Sequence, residues 1–190
     1  MRVIGGKLRG NLIYDPIDKS TRPLKDMVRE SIFNILKHAN NEKKELLNSN
    51  ILDLFSGTGS FGLECLSRGA KRVYFFENYE NSIKILKKNI IKLNQLDNCR
   101  IIQKDAYDLS SKDLDNKIMD LIFIDPPFRD TKINMLLDNI KNLGITKKNT
   151  LIILHRSKKI KEEFIHGFKI LNIDSLTISF KGLVVLSVGL

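Results

Sequence analysis

Cysteine and histidine, the side chains that most often bind transition metals, are scarce in this 190-residue sequence. Cys65 and Cys99 are the only cysteines, and they are too isolated to form a metal-ligand motif. The three histidines, His38, His155 and His166, are equally scattered. We therefore expect reduced thiols with structural roles and no bound metal.

Long apolar runs are also missing. None approaches the roughly 20 residues that a membrane-spanning helix requires, and residues 1–7 lack the apolar segment of a signal peptide. We therefore expect a cytoplasmic protein. The length suits one domain with a sizeable core, and it leaves no room for a separate target-recognition domain.

Acidic residues are outnumbered by basic ones. The sequence has 32 lysine and arginine residues against 22 aspartate and glutamate residues, which gives a formal net charge of +10. This charge suits a polyanionic partner such as a nucleic acid, although a lysine-rich composition can also arise from genome bias. Residues 1–10 carry three basic side chains and no acidic one, so the charge favours this segment as a contact surface.

Hydrophobic periodicity predicts an α/β fold. A short β-hairpin is expected over residues 2–14, and a helix is expected to start at Pro23. Strands are then predicted at 51–55, 72–76, 100–103, 121–124 and 151–154, helices at 59–68, 82–93 and 132–143, and two further strands at 168–190. This alternation predicts a doubly wound, mostly parallel seven-stranded sheet whose last two strands pair antiparallel.

A glycine-rich loop follows the first strand of this pattern. It reads Asp53-Leu54-Phe55-Ser56-Gly57-Thr58-Gly59-Ser60-Phe61-Gly62 and leads into a predicted helix. Glycines allow a tight turn and the close approach of a ligand, and a helix amino terminus favours negative charge. Glu77 ends the next strand, where an acidic side chain can bind the two hydroxyls of a ribose. Spacing alone fits either a dinucleotide site or an S-adenosylmethionine (SAM) site.

Two aspartates favour the SAM interpretation. Asp53 ends the strand before the loop, where it can hold the ammonium group of a methionine moiety. Asp105 follows the third strand, where its carboxylate can accept a hydrogen bond from an adenine amine. An aspartate at that point is equally typical of a helix N-cap.

Residues 121–128 read Leu-Ile-Phe-Ile-Asp-Pro-Pro-Phe. This pattern predicts a strand at residues 121–124 that ends abruptly at the residues that follow. Proline fixes φ and has no N–H, so two consecutive prolines end a sheet ladder. The corner offers a carboxylate from Asp125, free carbonyls and the Phe128 ring, which together suit a planar amine such as a nucleobase. Because this strand is expected to lie beside the first one, the corner and the glycine loop should face the same crevice.

On these residues the sequence resembles a known enzyme family. Asp53–Gly62 resembles motif I of class I SAM-dependent methyltransferases, and Asp125–Phe128 resembles motif IV of amino-methyltransferases. Residues 2–10 and 21–36 resemble the signature of the RsmD family, the bacterial methyltransferases of guanine N2 in 16S ribosomal RNA. The resemblance covers essentially the whole chain. It departs from the family pattern at Leu24, where a threonine is usual, and in the turn at 180–183.

The resemblance implies a Rossmann-like class I methyltransferase domain at residues 23–190, preceded by an RNA-contacting hairpin extension at residues 1–22. It implies that catalysis depends on Asp125, Pro126 and Phe128. The residues expected to hold SAM are Asp53, Phe55, Ser56, Gly57, Thr58, Gly59, Glu77, Asp105 and Ala106. The residues expected to contact RNA are Arg2, Lys7, Arg9, Arg22 and Arg29. The expected partner is 16S rRNA within the small ribosomal subunit or an assembly intermediate, and the enzyme is expected to be a monomer.

Other functions stay open at this point. An amino-methyltransferase acting on adenine N6 or on a protein glutamine would use a similar corner. A SAM-binding RNA chaperone would bind without turnover, and an NAD-dependent dehydrogenase would use the glycine loop but not the corner. Methylation of a pyrimidine C5 is not expected, because it needs a thiolate nucleophile and neither Cys65 nor Cys99 lies at the catalytic edge.

Overall fold

The computed structural model describes residues 1–18, 24–39, 46–127, 130–157, 168–174 and 181–188. Its helices are α1 (Asp26–Ala39), α2 (Ser60–Ser67), α3 (Glu80–Lys92) and α4 (Ile133–Asn142). Its strands are β1 (Asn50–Leu54), β2 (Arg72–Phe76), β3 (Cys99–Ile102), β4 (Leu121–Ile124), β5 (Leu151–Ser157), β6 (Phe168–Asp174) and β7 (Lys181–Val188). No helix within these ranges is long and apolar enough to cross a membrane.

The strands form one seven-stranded sheet in the order β3-β2-β1-β4-β5-β7-β6. β7 runs antiparallel to both of its neighbours, and the other pairs are parallel. This arrangement confirms the predicted doubly wound sheet and its antiparallel end. The direction of winding reverses between β1 and β4, so a crevice lies at their carboxyl ends, where open α/β sheets bind ligands.

Helices cover both faces of the sheet, which explains why the central strands read as continuous apolar runs. On one face, apolar side chains of α1, α2 and α3 pack with Ile51, Phe123 and Ile153. On the other face, α4 packs against Leu52 and Ile122. These two cores hold β1 and β4 side by side and so position the loops that follow them.

Residues 1–14 form less β-structure than the predicted hairpin. Only one isolated antiparallel bridge, between Arg2 and Leu12, replaces the expected hairpin strands. Val3 and Ile13 are instead buried in the same core as α1 and α2. The Ile4 amide donates a hydrogen bond of 2.8 Å to the buried Glu64 carboxylate of α2. The boundary predicted at residue 22 lies outside the described residues.

β5 is three residues longer than its apolar run predicts. The sequence pattern predicts a strand over 151–154, but the strand continues to Ser157. The reason is its pairing with β7, in which His155 lies opposite Leu183 and Ser157 lies opposite Lys181. Because this pairing joins residues distant in the sequence, local periodicity does not reveal it, and it brings His155 to the carboxyl edge of the sheet.

Candidate active site

The loop between β1 and α2 turns sharply through left-handed backbone conformations. Phe55, Gly57 and Gly59 have φ values of 59°, 54° and 83°. A Cβ atom added to Gly59 would lie 2.3 Å from a methyl carbon of Leu86. A non-glycine residue with positive φ, such as Phe55, is strained and is typical of functional loops. The backbone of the loop therefore turns tightly beside the crevice, as the glycine pattern predicts.

Glu77 supports this loop from the end of β2. Its Oε2 atom accepts a hydrogen bond of 2.7 Å from the Gly57 amide, and its Oε1 atom accepts one of 2.8 Å from the Tyr79 amide. The side chain is half-buried at the edge of the sheet. Glu77 thus borders the glycine loop where the sequence predicts it, and its contact with a ribose stays a prediction.

Asp53 lies behind the loop. Its Oδ2 atom accepts a hydrogen bond of 3.0 Å from the amide of Gly62, in the first turn of α2. The residue is 1% exposed, so almost none of its surface is available for the predicted contact with an ammonium group. Burial raises the pKa of the Asp53 carboxyl well above its usual value; the Gly62 hydrogen bond opposes this, and the charges of Asp125 and Glu77 add to it.

Replacing Asp53 by asparagine should stabilise the ligand-free protein at neutral pH. A raised carboxyl pKa means that the folded state keeps a proton that the unfolded state releases, so stability falls as the pH rises from about 4 through the raised pKa. Asparagine can still accept from Gly62 but does not titrate. We therefore expect Asp53→Asn to have the higher free energy of unfolding at neutral pH, by a margin that grows as the pH rises from about 4 toward the raised pKa.

Denaturant unfolding of both proteins between pH 4 and pH 8 tests this expectation. The free energies of unfolding of the two proteins should be similar near pH 4 and should diverge as the pH rises. An Asp53→Asn variant that is less stable than the parent at every pH would show that the buried charge is not a cost to the fold.

Asp105 and Ala106 follow β3. The Oδ1 atom of Asp105 accepts a hydrogen bond of 3.1 Å from the Tyr107 amide, so Asp105 does cap a short 3-10 helix. Ala106 is buried. The capping interpretation is therefore confirmed, and the predicted hydrogen bond of Asp105 to an adenine amine stays a prediction.

Tyr107 connects this turn with both loops of the crevice. Its ring lies edge-on to the ring of Phe55, with 5.8 Å between centroids, and its hydroxyl donates a hydrogen bond to Asp130. Burial and the Asp130 carboxylate raise the pKa of Tyr107, so its hydroxyl stays protonated and donates. Tyr107 thus joins the loop after β1 to the residues that follow the proline corner.

The proline corner lies directly beside the glycine loop. Because β4 pairs with β1 in parallel, Ile124 lies opposite Leu54, and the Asp125 amide donates to the Leu54 carbonyl over 3.4 Å. Pro126 is buried. Phe128, the predicted stacking ring, lies outside the described residues. The two motifs therefore meet at one crevice, as the sheet order predicts.

Comparison with known proteins identifies the family that has this architecture. A family model described as conserved hypothetical protein 95 matches residues 1–175. Ribosomal RNA small subunit methyltransferase D of Buchnera aphidicola subsp. Acyrthosiphon pisum is 33% identical over 157 residues, which make up 83% of this chain and 78% of that protein. The chain belongs to the RsmD family.

Two further proteins are similar to this chain. Ribosomal RNA small subunit methyltransferase D of Escherichia coli K12 is 35% identical over 144 residues, covering 73% of this chain and 68% of that protein. A crystal structure from Haemophilus influenzae, described provisionally as a methylase, is 26% identical with a TM-score of 0.77, covering 100% of this chain and 98% of that one. The Rossmann-like methyltransferase fold is thereby confirmed.

One of the predicted RNA contacts of this RsmD-family chain is wrong. Arg29 is fully buried, and its guanidinium donates to the carbonyl of Arg2 over 2.8 Å and forms an ion pair with Asp26. A side chain with no exposed surface does not reach a phosphate, so Arg29 ties α1 to the amino-terminal segment. Arg2 is exposed, as are Lys7 and Arg9, and Arg22 lies outside the described residues.

Asn89 is a site residue that the sequence patterns did not reveal. It is fully buried on α3. Its side-chain amide donates to the carbonyls of Thr58 and Tyr14 over 3.0 Å and 3.2 Å, and its Oδ1 atom accepts from the Tyr14 amide over 2.7 Å. Asn89 thereby joins the glycine loop to the amino-terminal segment. The available signal was a polar amide on the apolar face of an amphipathic helix.

Proposed function

We propose that this chain transfers a methyl group from SAM to the exocyclic N2 amine of a guanine in 16S ribosomal RNA. The observation that carries the proposal is the position of Asp125 and Pro126 directly beside the Gly57–Gly59 loop, across the β1–β4 crevice. The small-subunit RNA targets in the names of the relatives support the choice of substrate.

The residues around the loop fit a nucleoside-bearing donor. Gly57 and Gly59 keep the loop backbone tight, and the Glu77 carboxylate borders it. Phe55, Ser56 and Thr58 complete the loop, and Asp105 and Ala106 lie on the adjacent β3 edge. When bound, SAM supplies an electrophilic methyl group on a positively charged sulfur.

The role of the corner follows from the chemistry of the target. The guanine N2 amine is planar and its lone pair is delocalised, so it is a poor nucleophile. We propose that the Asp125 carboxylate and the Pro126 carbonyl accept its two hydrogens, which localises the lone pair toward the methyl group. Holding two reactants in such a geometry can contribute roughly 7–11 kcal/mol. As the amine nitrogen takes the methyl group, the methyl–sulfur bond would break and S-adenosyl-L-homocysteine would leave. The methylated amine would then release a proton to water, so the step needs no strong general base.

Phe128 is proposed to stack on the target base, a contact worth about 1–3 kcal/mol per base in single-stranded recognition. The base must first leave its stack, which costs a few kcal/mol and less in a loop. The target is therefore proposed to be an unpaired guanine, recognised by RNA shape within the small subunit or an assembly intermediate in the cytoplasm.

Methyl transfer from labelled donor tests this function. The chain is incubated with SAM carrying a tritiated methyl group and with small subunits from cells that lack the modification. We expect the label in RNA, with several turnovers per enzyme. SAM binding by calorimetry without turnover would indicate a binding protein, label in protein would indicate a glutamine target, and binding of NAD but not SAM would indicate a dehydrogenase.

The exposed basic residues of the amino-terminal segment are proposed to contact RNA phosphates. The turn at residues 5–10, which carries Lys7 and Arg9, packs on Ser67. Ser67 ends α2 and so lies at the end of the helix that is farther from the glycine loop. An eight-residue helix spans about 12 Å, so the turn is placed to contact RNA that flanks the target. Arg2, Lys7 and Arg9 are the proposed contacts, with Arg22 as a fourth.

Replacing Arg2, Lys7 and Arg9 together by alanine should weaken RNA binding in a salt-dependent way. Each lost phosphate contact removes about 0.7–0.9 from the slope of log affinity against log salt, so the slope should fall by about 2–3. The matched control replaces Lys112, Lys117 and Lys148, which are also exposed but lie in the segments before β4 and β5, Lys112 within a short 3-10 helix. Equal slopes for the two triple variants would contradict a specific role of this segment.

A further inference from the structure

His155 is the histidine nearest to the proposed catalytic carboxylate. β5 pairs with β4 so that Leu154 lies opposite Ile124, and His155 and Asp125 follow side by side. Phe123 and Ile153, two residues earlier, belong to the same core, so Asp125 and His155 project on the same face. The Nδ1 atom of His155 lies 2.9 Å from Oδ1 of Asp125.

This contact leaves the second ring nitrogen of His155 unsatisfied. An ionised carboxylate only accepts hydrogen bonds, so with Asp125 ionised the contact assigns the proton to Nδ1 of His155. Nε2 is buried and has no hydrogen-bond partner among the described residues, and the whole residue is 4% exposed. An unsatisfied buried polar atom costs free energy and calls for an explanation. An apolar side chain, as at residues 151–154 of β5, would avoid this cost.

We infer that His155 is a positioning residue that orients the Asp125 carboxylate for the target amine. This inference rests on the proposed function. The carboxylate torsion of an aspartate is broad, so the plane of the group is set by the donors that hydrogen-bond to it. A donor fixed in a strand and held by the core restricts Oδ1 and thereby the plane of the whole group. The cost of burying Nε2 is then explained by alignment of Asp125 rather than by stability.

Two substitutions of His155 separate alignment from packing. His155→Leu keeps an apolar body and removes the donor, whereas His155→Asn keeps a nitrogen donor close to the position of Nδ1. A misplaced catalytic group can cost about 100-fold in rate. We expect His155→Leu to lower kcat by about 10–100-fold with KM for SAM unchanged and a Tm no lower than that of the parent, and His155→Asn to stay within about fivefold of the parent kcat.

Nuclear magnetic resonance of ¹⁵N-labelled histidine gives a readout that does not depend on turnover. The His155 ring should be in the Nδ1–H tautomer in the parent, and its Nδ1 signal should shift in Asp125→Ala.

Three results would overturn the inference. These are an unchanged kcat in His155→Leu, equal losses of kcat and Tm in both His155 variants, or a His155 ring in the Nε2–H tautomer. Failure of the proposed function looks different, because the parent enzyme itself would then leave RNA unlabelled or Asp125→Ala would keep the parent rate.

Discussion

Replacing Asp125 by alanine should lower the rate of methyl transfer by about 10²–10³-fold, the usual cost of removing one preorganised hydrogen-bonding group from an active site. The carboxylate follows β4 directly and lies beside the end of β1, so it is the described acidic side chain best placed to accept a hydrogen from the target amine. Without it the amine keeps its delocalised lone pair, and only the Pro126 carbonyl remains to orient it.

SAM affinity, Tm and a control variant distinguish a catalytic defect in Asp125→Ala from a loss of donor binding or of folding. SAM affinity by calorimetry should change by less than about twofold, because the residues proposed to hold the donor lie on other loops. Tm shows whether the fold survives the loss of the partner of His155. Asp125→Asn is the matched control: its single amide oxygen can accept from the target amine or from His155 but not from both, so its activity should lie between those of the parent and the alanine variant. An alanine variant with the parent rate would remove Asp125 from the mechanism.

Replacing Gly6 by alanine should detach the amino-terminal segment from α2 and abolish activity on ribosomal substrates. Gly6 has a φ of +73°, and a Cβ atom added to it would lie 2.0 Å from the backbone oxygen of Ser67. The backbone of α2 does not yield, so the segment must move. That movement breaks the hydrogen bond from the Lys7 amide to the Ser67 carbonyl, at 2.8 Å, and the one from the Leu8 amide to the Ser67 hydroxyl, at 2.9 Å.

Gly10 provides the matched control. It has a φ of +87°, but an added Cβ atom would meet nothing within 4 Å. Both alanine variants therefore bear a left-handed backbone cost of roughly 1–2 kcal/mol, and only Gly6→Ala adds a steric clash, typically another 1–3 kcal/mol. We expect Gly6→Ala to have the lower Tm and to lose RNA binding. If the two variants match in Tm and activity, docking of the segment on α2 does not matter.

A deletion of residues 1–22 would be a poorer test of RNA contact. Val3 and Ile13 are 1% and 4% exposed and lie in the core shared with α1 and α2. Removing them would open a cavity and expose apolar surface, so lost activity could not be assigned to lost phosphate contacts. Replacing the exposed Arg2, Lys7 and Arg9 leaves Val3 and Ile13 in place and so separates the two effects.

The features that the sequence predicts correctly depend on local patterns or on general rules of sheet topology. The apolar run before Asp125 predicts β4, and the glycines after Asp53 predict the tight loop. The rule that winding reverses beside the first strand then brings the two together. The prediction for Arg29 fails because it depends on tertiary structure. A basic side chain can contact a phosphate at the surface, or it can be buried against a carboxylate and backbone carbonyls, and the sequence does not distinguish these two environments.

The contacts missed from the sequence are all between distant segments. Asn89 binds Tyr14 and Thr58, which are 75 and 31 residues away. His155 reaches Asp125 only because β7 extends β5 beyond its apolar run. No local periodicity encodes such pairs. They nonetheless support the two groups that the proposed mechanism requires, the glycine loop and the Asp125 carboxylate.

The identity of the methylated nucleoside tests the central claim most directly. Small subunits lacking the modification are incubated with SAM carrying a deuterated methyl group and with the parent enzyme or Asp125→Ala, and the RNA is digested to nucleosides for mass spectrometry. We expect deuterated N2-methylguanosine from the parent and almost none from the variant. Deuterium in N6-methyladenosine or N1-methylguanosine, with none in N2-methylguanosine, would contradict the account.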